Sequence, residues 1–318
     1  MKPPSKIKAA EPVTPPVLYL AGAGRSGGTI IGKVLGQHDQ MLYVGELREL
    51  WTPGLLVDRL CGCGARLIDC DFWQRVFEDA YGGIAAIDAD WMNQMRLKHT
   101  RTRHAPGWLL PWRTKHVSDD LGQFSGKLES LYAALRRASG KPIIVDASRL
   151  VAYGRVLERL PSLDLRIVHL IRDARAVAFS WGRRRTGTTA SRTVELARKG
   201  ALRGAIEWVA QNLLVEWSWG RDRLRYHRLR YEDFVLGPRQ ETMRLLRWLE
   251  QPESDLSFIA DSCAHFGVDH SAAGNTYRLA VGPTPLRLDD EWQTRMPARD
   301  RALVEAIAWP LLKRYGYV

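Results

Sequence analysis

The sequence predicts a three-layer α/β fold, a single domain with a central parallel sheet. Three observations carry that expectation. Short apolar runs of strand type alternate with segments of helical period along the chain. Residues 17–31 read as an apolar run, a Gly-rich turn and the start of a helix, the local grammar of a βα unit. The 318 residues are 45% hydrophobic and 26% charged, a composition able to bury one large core.

The first unit organises the rest. Val17, Leu18, Tyr19, Leu20 and Ala21 lead into Gly22-Ala23-Gly24-Arg25-Ser26-Gly27-Gly28-Thr29-Ile30. Such a turn aims unpaired backbone N–H groups and a helix dipole at one point, which favours an anion. Glycines let a phosphate approach the backbone, Ser26 and Thr29 add hydroxyls, and Arg25 adds charge. A tight turn without a ligand is the plain alternative. Three ligand chemistries compete. A Walker A loop fits the spacing of Gly22, Gly27 and Thr29, but Gly28 stands where its lysine belongs. A dinucleotide fingerprint is satisfied by Gly22, Gly24 and Gly27, with Glu46 near its acidic position. A phosphosulfate loop needs a basic residue, Ser-Gly, then small or hydroxylated residues, as in Arg25 to Thr29.

A helix is expected over 30–37 and a strand over 42–44, ending at Gly45-Glu46. A carboxylate just past a parallel strand end is well placed for chemistry. It could instead pair with Arg48 or cap the next helix. Cys61, Cys63 and Cys70 cluster in a Gly-rich stretch and read as structural thiols, the start of a zinc site or a disulfide; no fourth ligand is evident nearby. Residues 81–118 interleave Trp91, Trp108 and Trp112 with Arg96, Arg101, Arg103 and Arg113, as a surface for an acceptor or nucleic acid, a lid or a packed insertion would. A helix over 119–139 ends at Gly140. A buried strand over 142–146 is followed by Ser148, either a ligand contact or a helix N-cap, and Arg149; a helix runs to 160.

The second informative stretch is residues 165–180, a strand, then Arg172 at its end, then a helix carrying Ser180. An arginine at a strand end and a hydroxyl two turns on can hold one phosphate from two sides. His169, inside the apolar strand, reads as a satisfied core histidine. Arg183, Arg184 and Arg185 enter a polar loop reaching Arg192. A long helix over 200–220 sets Ile206, Val209, Leu213 and Trp217 in one stripe, read as core. A strand over 225–231 ends at Tyr231-Glu232-Asp233, Pro238 opens a helix over 239–250, residues 270–282 form a Gly-punctuated loop with Asn275 and Arg278, and 300–312 is the last helix.

The formal charge of +12 and pI of about 9.8 suit a polyanionic ligand; no nucleic-acid module is visible, so no nucleic-acid partner is expected. No apolar run is long enough to span a bilayer. Residues 1–16 contain Lys and Pro, lack an apolar core, and read as a disordered tail rather than a signal peptide, which implies a cytoplasmic protein.

Two motifs far apart in the chain resemble the sulfotransferases that use 3'-phosphoadenosine 5'-phosphosulfate (PAPS), above all their bacterial branch and the protein-tyrosine sulfotransferases. Arg25-Ser26-Gly27-Gly28-Thr29 is similar to the loop that grips the 5'-phosphosulfate, and Arg172 with Ser180 to the pair that grips the 3'-phosphate. Gly45-Glu46-Leu47-Arg48 is similar to the segment bearing the catalytic glutamate, Tyr231-Glu232-Asp233 to one whose tyrosine lies near the adenine, and His270, Gly274, Asn275 and Arg278 to a late loop over the nucleotide in which Arg278 faces the 3'-phosphate. The Cys61, Cys63 and Cys70 pattern, with Phe72 and Trp73, also occurs in that branch. The chain departs at Gly28, where relatives commonly carry a hydroxyl, and at Arg149, where many carry lysine. The resemblance implies a P-loop-like sulfotransferase fold over residues 17–318, with residues 81–118 as an insertion or lid. It also implies PAPS as donor, PAP (3'-phosphoadenosine 5'-phosphate) as product and a hydroxyl acceptor. Glu46 and Arg25 would be catalytic, Ser26, Gly27, Gly28, Thr29, Ile30, Arg172, Ser180, Tyr231 and Arg278 would bind the nucleotide, and no metal takes part in transfer. An NAD(P)-dependent oxidoreductase would leave Arg172 and Ser180 idle, and a basic non-enzymatic binding protein would leave both phosphate motifs idle.

Overall fold

Five parallel strands, in the order β2-β3-β1-β4-β7, form the centre of the computed structural model, which describes residues 15–52, 58–102, 118–191, 193–195, 197–252 and 255–318. In chain order the elements are β1 (Pro16–Gly22), α1 (Gly28–Leu35), β2 (Met41–Gly45), α2 (Asp71–Tyr81), α3 (Ala89–His99), α4 (Asp119–Ser139), β3 (Ile143–Arg149), α5 (Val151–Leu157), β4 (Asp164–Ile171), α6 (Ala174–Gly182), β5 (Thr186–Thr188) and β6 (Thr193–Glu195). They continue with α7 (Ala201–Trp219), β7 (Tyr226–Arg230), α8 (Tyr231–Leu236), α9 (Pro238–Trp248), β8 (Ile259–Ala260), β9 (Cys263–Phe266), β10 (Gly282–Pro285), α10 (Trp292–Arg295) and α11 (Ala298–Arg314).

The alternation along β1 explains the layers. Val17, Tyr19 and Ala21 face one core, with Trp73, Phe77, Leu128 and Tyr153 from α2, α4 and α5. Leu18 and Leu20 face the other, with Ile31 and Leu35 of α1, Phe234 of α8 and Leu245 of α9. Side chains alternate across a strand, so a strand apolar at every position is covered on both faces. A third apolar cluster joins α6, α7 and α11 through Val177, Trp208 and Leu312. The caps follow the sequence. Gly140 ends α4 at φ 67°, the Asp173 side chain accepts a hydrogen bond from Arg175 N at the start of α6, and Pro238 occupies the first turn of α9.

Four expectations change. Strand β3 extends through Arg149, and Ser148 is not a cap: α5 starts from Leu150 with no side-chain cap. The stripe on α7 does not form the core. Ile206, Leu213 and Trp217 are 52, 45 and 69% exposed and Val209 is half-buried, while Gly204, Trp208, Asn212 and Val215 face inward. The inward face wins because its polar groups find buried partners: Asn212 reaches His169, and Trp208 Nε1 donates to Arg172 O at 2.9 Å. The Trp/Arg stretch supplies packing where it is described. Trp91 meets Phe124 edge-on, and buried Arg96 pairs with Glu49 at 3.1 Å. Its Arg103, Trp108, Trp112 and Arg113, like residues 1–14 of the expected tail, lie outside the described residues, while Pro16, expected in that tail, begins β1. The loop entered at Arg183 carries β5 of a β5–β6 ribbon, and Gly282, at the end of the late loop, begins β10 of a β10-β9-β8 antiparallel sheet whose β8 and β9 lie in a stretch the sequence left unassigned. Among the described residues no helix is long and apolar enough to cross a membrane.

His169 is a satisfied core histidine, as its setting in β4 predicts. Its ring nitrogens meet Tyr226 Oη at 2.7 Å and Asn212 Oδ1 at 2.8 Å, and burial lowers its pKa to about 4. The unfolded histidine titrates near 6.5, so the neutral ring contributes fully above that value and its contribution is lost as pH falls through 6.5 towards 4. The lowered pKa corresponds to about 3 kcal/mol at pH 4. Unfolding measured across this window should show a steep acid-side loss, flattened in His169→Gln; an unchanged slope would refute the assignment.

Candidate active site

All the parallel strands end on one cavity of about 450 Å³. The end of β1 and the loop after it provide Gly22, Ala23 and Arg25 to Ile30, β2 leads into Glu46, β3 provides Ala147 and Arg149, β4 provides Leu170 and leads to Arg172, and β7 leads to Tyr231. The crossover places this cavity outside the carboxyl ends where strand order reverses, the expected ligand position of an open α/β sheet.

Backbone geometry shapes the loop. Gly22 has φ 149°, and a Cβ there would lie 2.3 Å from Leu170 O. Arg25 and Gly27 take positive φ of 73° and 92°, folding the chain back so that Gly27 caps α1. A Cβ on Gly27 would lie 2.2 Å from the Tyr231 ring, so the glycine admits the tyrosine over the loop. Ser26 Oγ and the Nε atoms of Arg25, Arg149 and Arg172 are buried without a hydrogen-bond partner. Buried polar atoms are normally paired, so these donors fit an anion in the cavity. Thr29 Oγ1 accepts a hydrogen bond from Asn275 N at 3.4 Å.

The departure at Gly28 costs little space. A Cβ there would meet Ala147 Cβ at 3.7 Å and Leu170 Cδ2 at 3.8 Å, ordinary contacts. Gly28→Ser should therefore keep stability within about 0.5 kcal/mol and add a donor worth about 0.5–1.5 kcal/mol. Calorimetry is expected to show PAP binding two- to tenfold tighter, by about that energy; weaker binding would mean that the loop N–H groups, not hydroxyls, face the ligand.

Glu46 faces the cavity beside one ion-pair partner. Arg48, its suggested partner, instead pairs with Glu49 and bonds Thr100 Oγ1 at 2.8 Å. Glu46 makes no side-chain cap, and its nearest cation is Arg149, whose Nη2 lies 3.6 Å from Glu46 Oε2. Its backbone N donates to Ala273 O at 2.9 Å. Ser148 holds the chain two residues on: its Oγ accepts from Arg48 N at 2.9 Å and donates to Asp146, whose carboxyl burial raises to about 6. Asp146 and Ser148 thus buckle the Glu46 segment to β3.

Positive charge surrounds this carboxylate. Arg25, Arg149, Arg172, Arg185 and Arg287 line the cavity against Glu46 and Asp289. Burial, with Arg185 and Arg149 nearby, lowers Arg25 to about 10, so it stays charged at neutral pH. Its guanidinium lies over Trp181, 4.7 Å from the ring centroid. Arg172 donates to Arg25 O at 3.1 Å, pairs with Asp289 Oδ2 at 3.0 Å and lies 4.6 Å over Tyr231. Ser180 Oγ accepts from Arg185 at 3.2 Å.

The structure therefore gathers Arg25, Ser26, Gly27, Gly28, Thr29, Ile30, Glu46, Arg172, Ser180 and Tyr231 on one cavity. Arg278 is the exception. It does not line the cavity; its guanidinium donates to Ser271 O at 3.1 Å and Leu60 O at 2.5 Å, turned towards the cysteine segment. Gly274 and Asn275 of the same late loop do line it. Sequence reasoning gave no role here to Trp181, Arg185, Arg287 or Asp289. Arg185 stood in a run of arginines with no spacing that marked it.

Comparison with known proteins agrees with this architecture. By sequence, no curated protein matches. The sulfotransferase domain from the curacin biosynthetic pathway superposes with a TM-score of 0.51 at 17% identity, covering 93% of this chain and 97% of that one. A Mycobacterium avium sulfotransferase gives 0.47 at 13% identity, covering 96% and 77%. At 17% identity the likeness to the curacin-pathway domain is one of fold alone. The sulfotransferase family model matches residues 16–255, spanning every strand of the central sheet, and the chain belongs to the sulfotransferase family.

Proposed function

We propose that the cavity binds PAPS and that the protein transfers its sulfuryl group to an acceptor hydroxyl, with Glu46 as general base. The carrying observation is the convergence of the five strand ends on one arginine-rich cavity with Glu46, loosely paired with Arg149 at 3.6 Å, in its wall. A donor with charged groups at both its 3' and 5' positions suits that excess of arginine.

In this reading the N–H groups at the start of α1 and the side chains of Arg25, Ser26 and Thr29 hold the 5'-phosphosulfate, with Gly27, Gly28 and Ile30 giving backbone contact. Arg172 and Ser180 take the 3'-phosphate, and Tyr231 lies beside the adenine. The acceptor oxygen forms its bond to sulfur as the bond from sulfur to the 5'-phosphate oxygen breaks. The hydroxyl proton passes to Glu46, and PAP leaves. Such transfer asks the protein chiefly for positioning and for charge stabilisation, which Arg25 and the loop donors supply. The family match and a cavity lined as far as Asp289 support one functional unit over residues 17–318.

Incubation with PAPS carrying radioactive sulfur and a panel of sugars, alcohols and phenols tests the activity. Label in an ester product, dependent on the protein, is expected. Label released only as inorganic sulfate at the uncatalysed rate, with every acceptor class and with a lysate supplying native acceptors, would count against it.

A further inference from the structure

We infer that Cys61, Cys63, Cys70 and His270 form a structural zinc site that fastens the late loop to the wall of the cavity. The inference stands apart from the donor reading and rests on four ligand atoms converging from segments about two hundred residues apart.

The Sγ atoms of the three cysteines and Nδ1 of His270 all lie within 4.8 Å of one another. Cys63 Sγ and Cys70 Sγ are 3.7 Å apart, and His270 Nδ1 lies 3.7 Å from Cys61 Sγ and 3.3 Å from Cys70 Sγ. Zinc bonds thiolate at about 2.3 Å and imidazole at about 2.0 Å in a tetrahedron, which sets S–S separations of about 3.8 Å and S–N separations of about 3.5 Å. The three separations of 3.7, 3.7 and 3.3 Å match a Cys3His shell around an ion, and the others, all under 4.8 Å, close to it with a shift of about 1 Å. A disulfide would use two of the sulfurs and give the histidine no part.

The surroundings are built around these atoms. Cys61 N donates to Ala65 O at 2.8 Å and Gly64 N to Cys61 O at 2.9 Å, folding the Cys61-Gly62-Cys63-Gly64 segment into a tight knuckle with Gly64 at φ 90°. The His270 ring stacks on Phe72 at 4.7 Å, and Trp73 Nε1 donates to His270 O at 2.8 Å. Gly62 N donates to Ser271 O at 3.0 Å, and a Cβ on Gly62 would strike Asp269 Oδ1 at 2.0 Å. Outer contacts of this kind fix the orientation of metal ligands.

Charge gives Arg278 its place. Zinc with three thiolates and a neutral imidazole carries one net negative charge, and binding releases the three thiol protons. Arg278 is buried beside the cluster and holds the carbonyls of Leu60 and Ser271, the chain neighbours of ligands Cys61 and His270. A buried guanidinium needs such a counter-charge. The clamp then reaches the cavity through the chain. Three residues beyond His270, Ala273 O accepts from Glu46 N, and the next two residues, Gly274 and Asn275, line the cavity.

The test is metal content of the untagged full chain purified without chelator, followed by X-ray absorption at the zinc edge. The expected result is about one zinc per chain, with about three sulfurs near 2.3 Å and one nitrogen near 2.0 Å. Chelation should lower the melting temperature by about 5 °C or more, with recovery on adding zinc chloride. Cys70→Ser and His270→Ala should lose the zinc. Should they fail to fold, cobalt(II) added to the chelated wild-type chain should give thiolate charge-transfer and tetrahedral bands. A metal-free wild-type chain that takes up no zinc on addition, a disulfide among the three cysteines by non-reducing peptide mapping, or a zinc shell of oxygen and nitrogen only would each overturn the site.

Discussion

Glu46→Gln is expected to lower the sulfuryl transfer rate by about 10²–10⁴-fold while leaving PAP affinity within about twofold. The amide keeps the size of the side chain and cannot take a proton. The segment that carries it is held by its own backbone, through Ala273 O and through Ser148 to Asp146, so the substitution leaves the position of residue 46 unchanged. Arg149 lies 3.6 Å from the carboxylate, and losing that pair removes charge from the wall without undoing a close hydrogen bond. The loss should also depend on the acceptor. A weakly acidic alcohol needs a base more than an acidic phenol does, so the alcohol should suffer more. Full turnover by the Gln variant with both acceptors would show that Glu46 is not the base.

Arg172→Ala should weaken PAP binding about tenfold or more, because a charge-assisted hydrogen bond contributes roughly 1.5–3 kcal/mol. Arg172 also braces the loop, donating to Arg25 O at 3.1 Å and lying over Tyr231, so a weakened site alone would be ambiguous. AMP, which lacks the 3'-phosphate, separates the two roles. If Arg172 grips that phosphate, PAP affinity falls and AMP affinity changes by less than about threefold. Equal losses for both nucleotides would make Arg172 a brace for the loop and move the 3'-phosphate towards Arg185, which already bonds Ser180.

Local chemistry explains which parts of this site were legible in the sequence. The loop after β1 was readable because its glycines and hydroxyls have to stand at fixed spacing for backbone to meet an anion, and Gly22 and Gly27 take the positive φ that such a turn requires. Arg172 and Ser180 were readable because a strand end and a helix two turns long fix their separation. His169 and the helix α4 followed from burial and capping. The faces of α7 were not readable. Both sides of that helix are apolar, and only tertiary contacts, Asn212 to His169 and Trp208 to Arg172 O, decide which is buried. Ser148 looked like a helix cap because its hydroxyl serves a backbone N–H, but that N–H belongs to Arg48, a hundred residues earlier. Arg278 sits in the expected loop, yet buried carbonyls near the cysteine cluster take its guanidinium. His270 was hidden as the companion of three cysteines because nothing local relates residue 270 to residues 61–70.

Titration of the purified protein with PAP in a calorimeter, with NAD as the paired control, decides whether the cavity is a PAP site. One PAP site per chain with micromolar affinity and no heat from NAD is the expected result. NAD binding without PAP would contradict it, turning Glu46 into a ribose ligand, and so would a chain that binds neither nucleotide even with acceptor present.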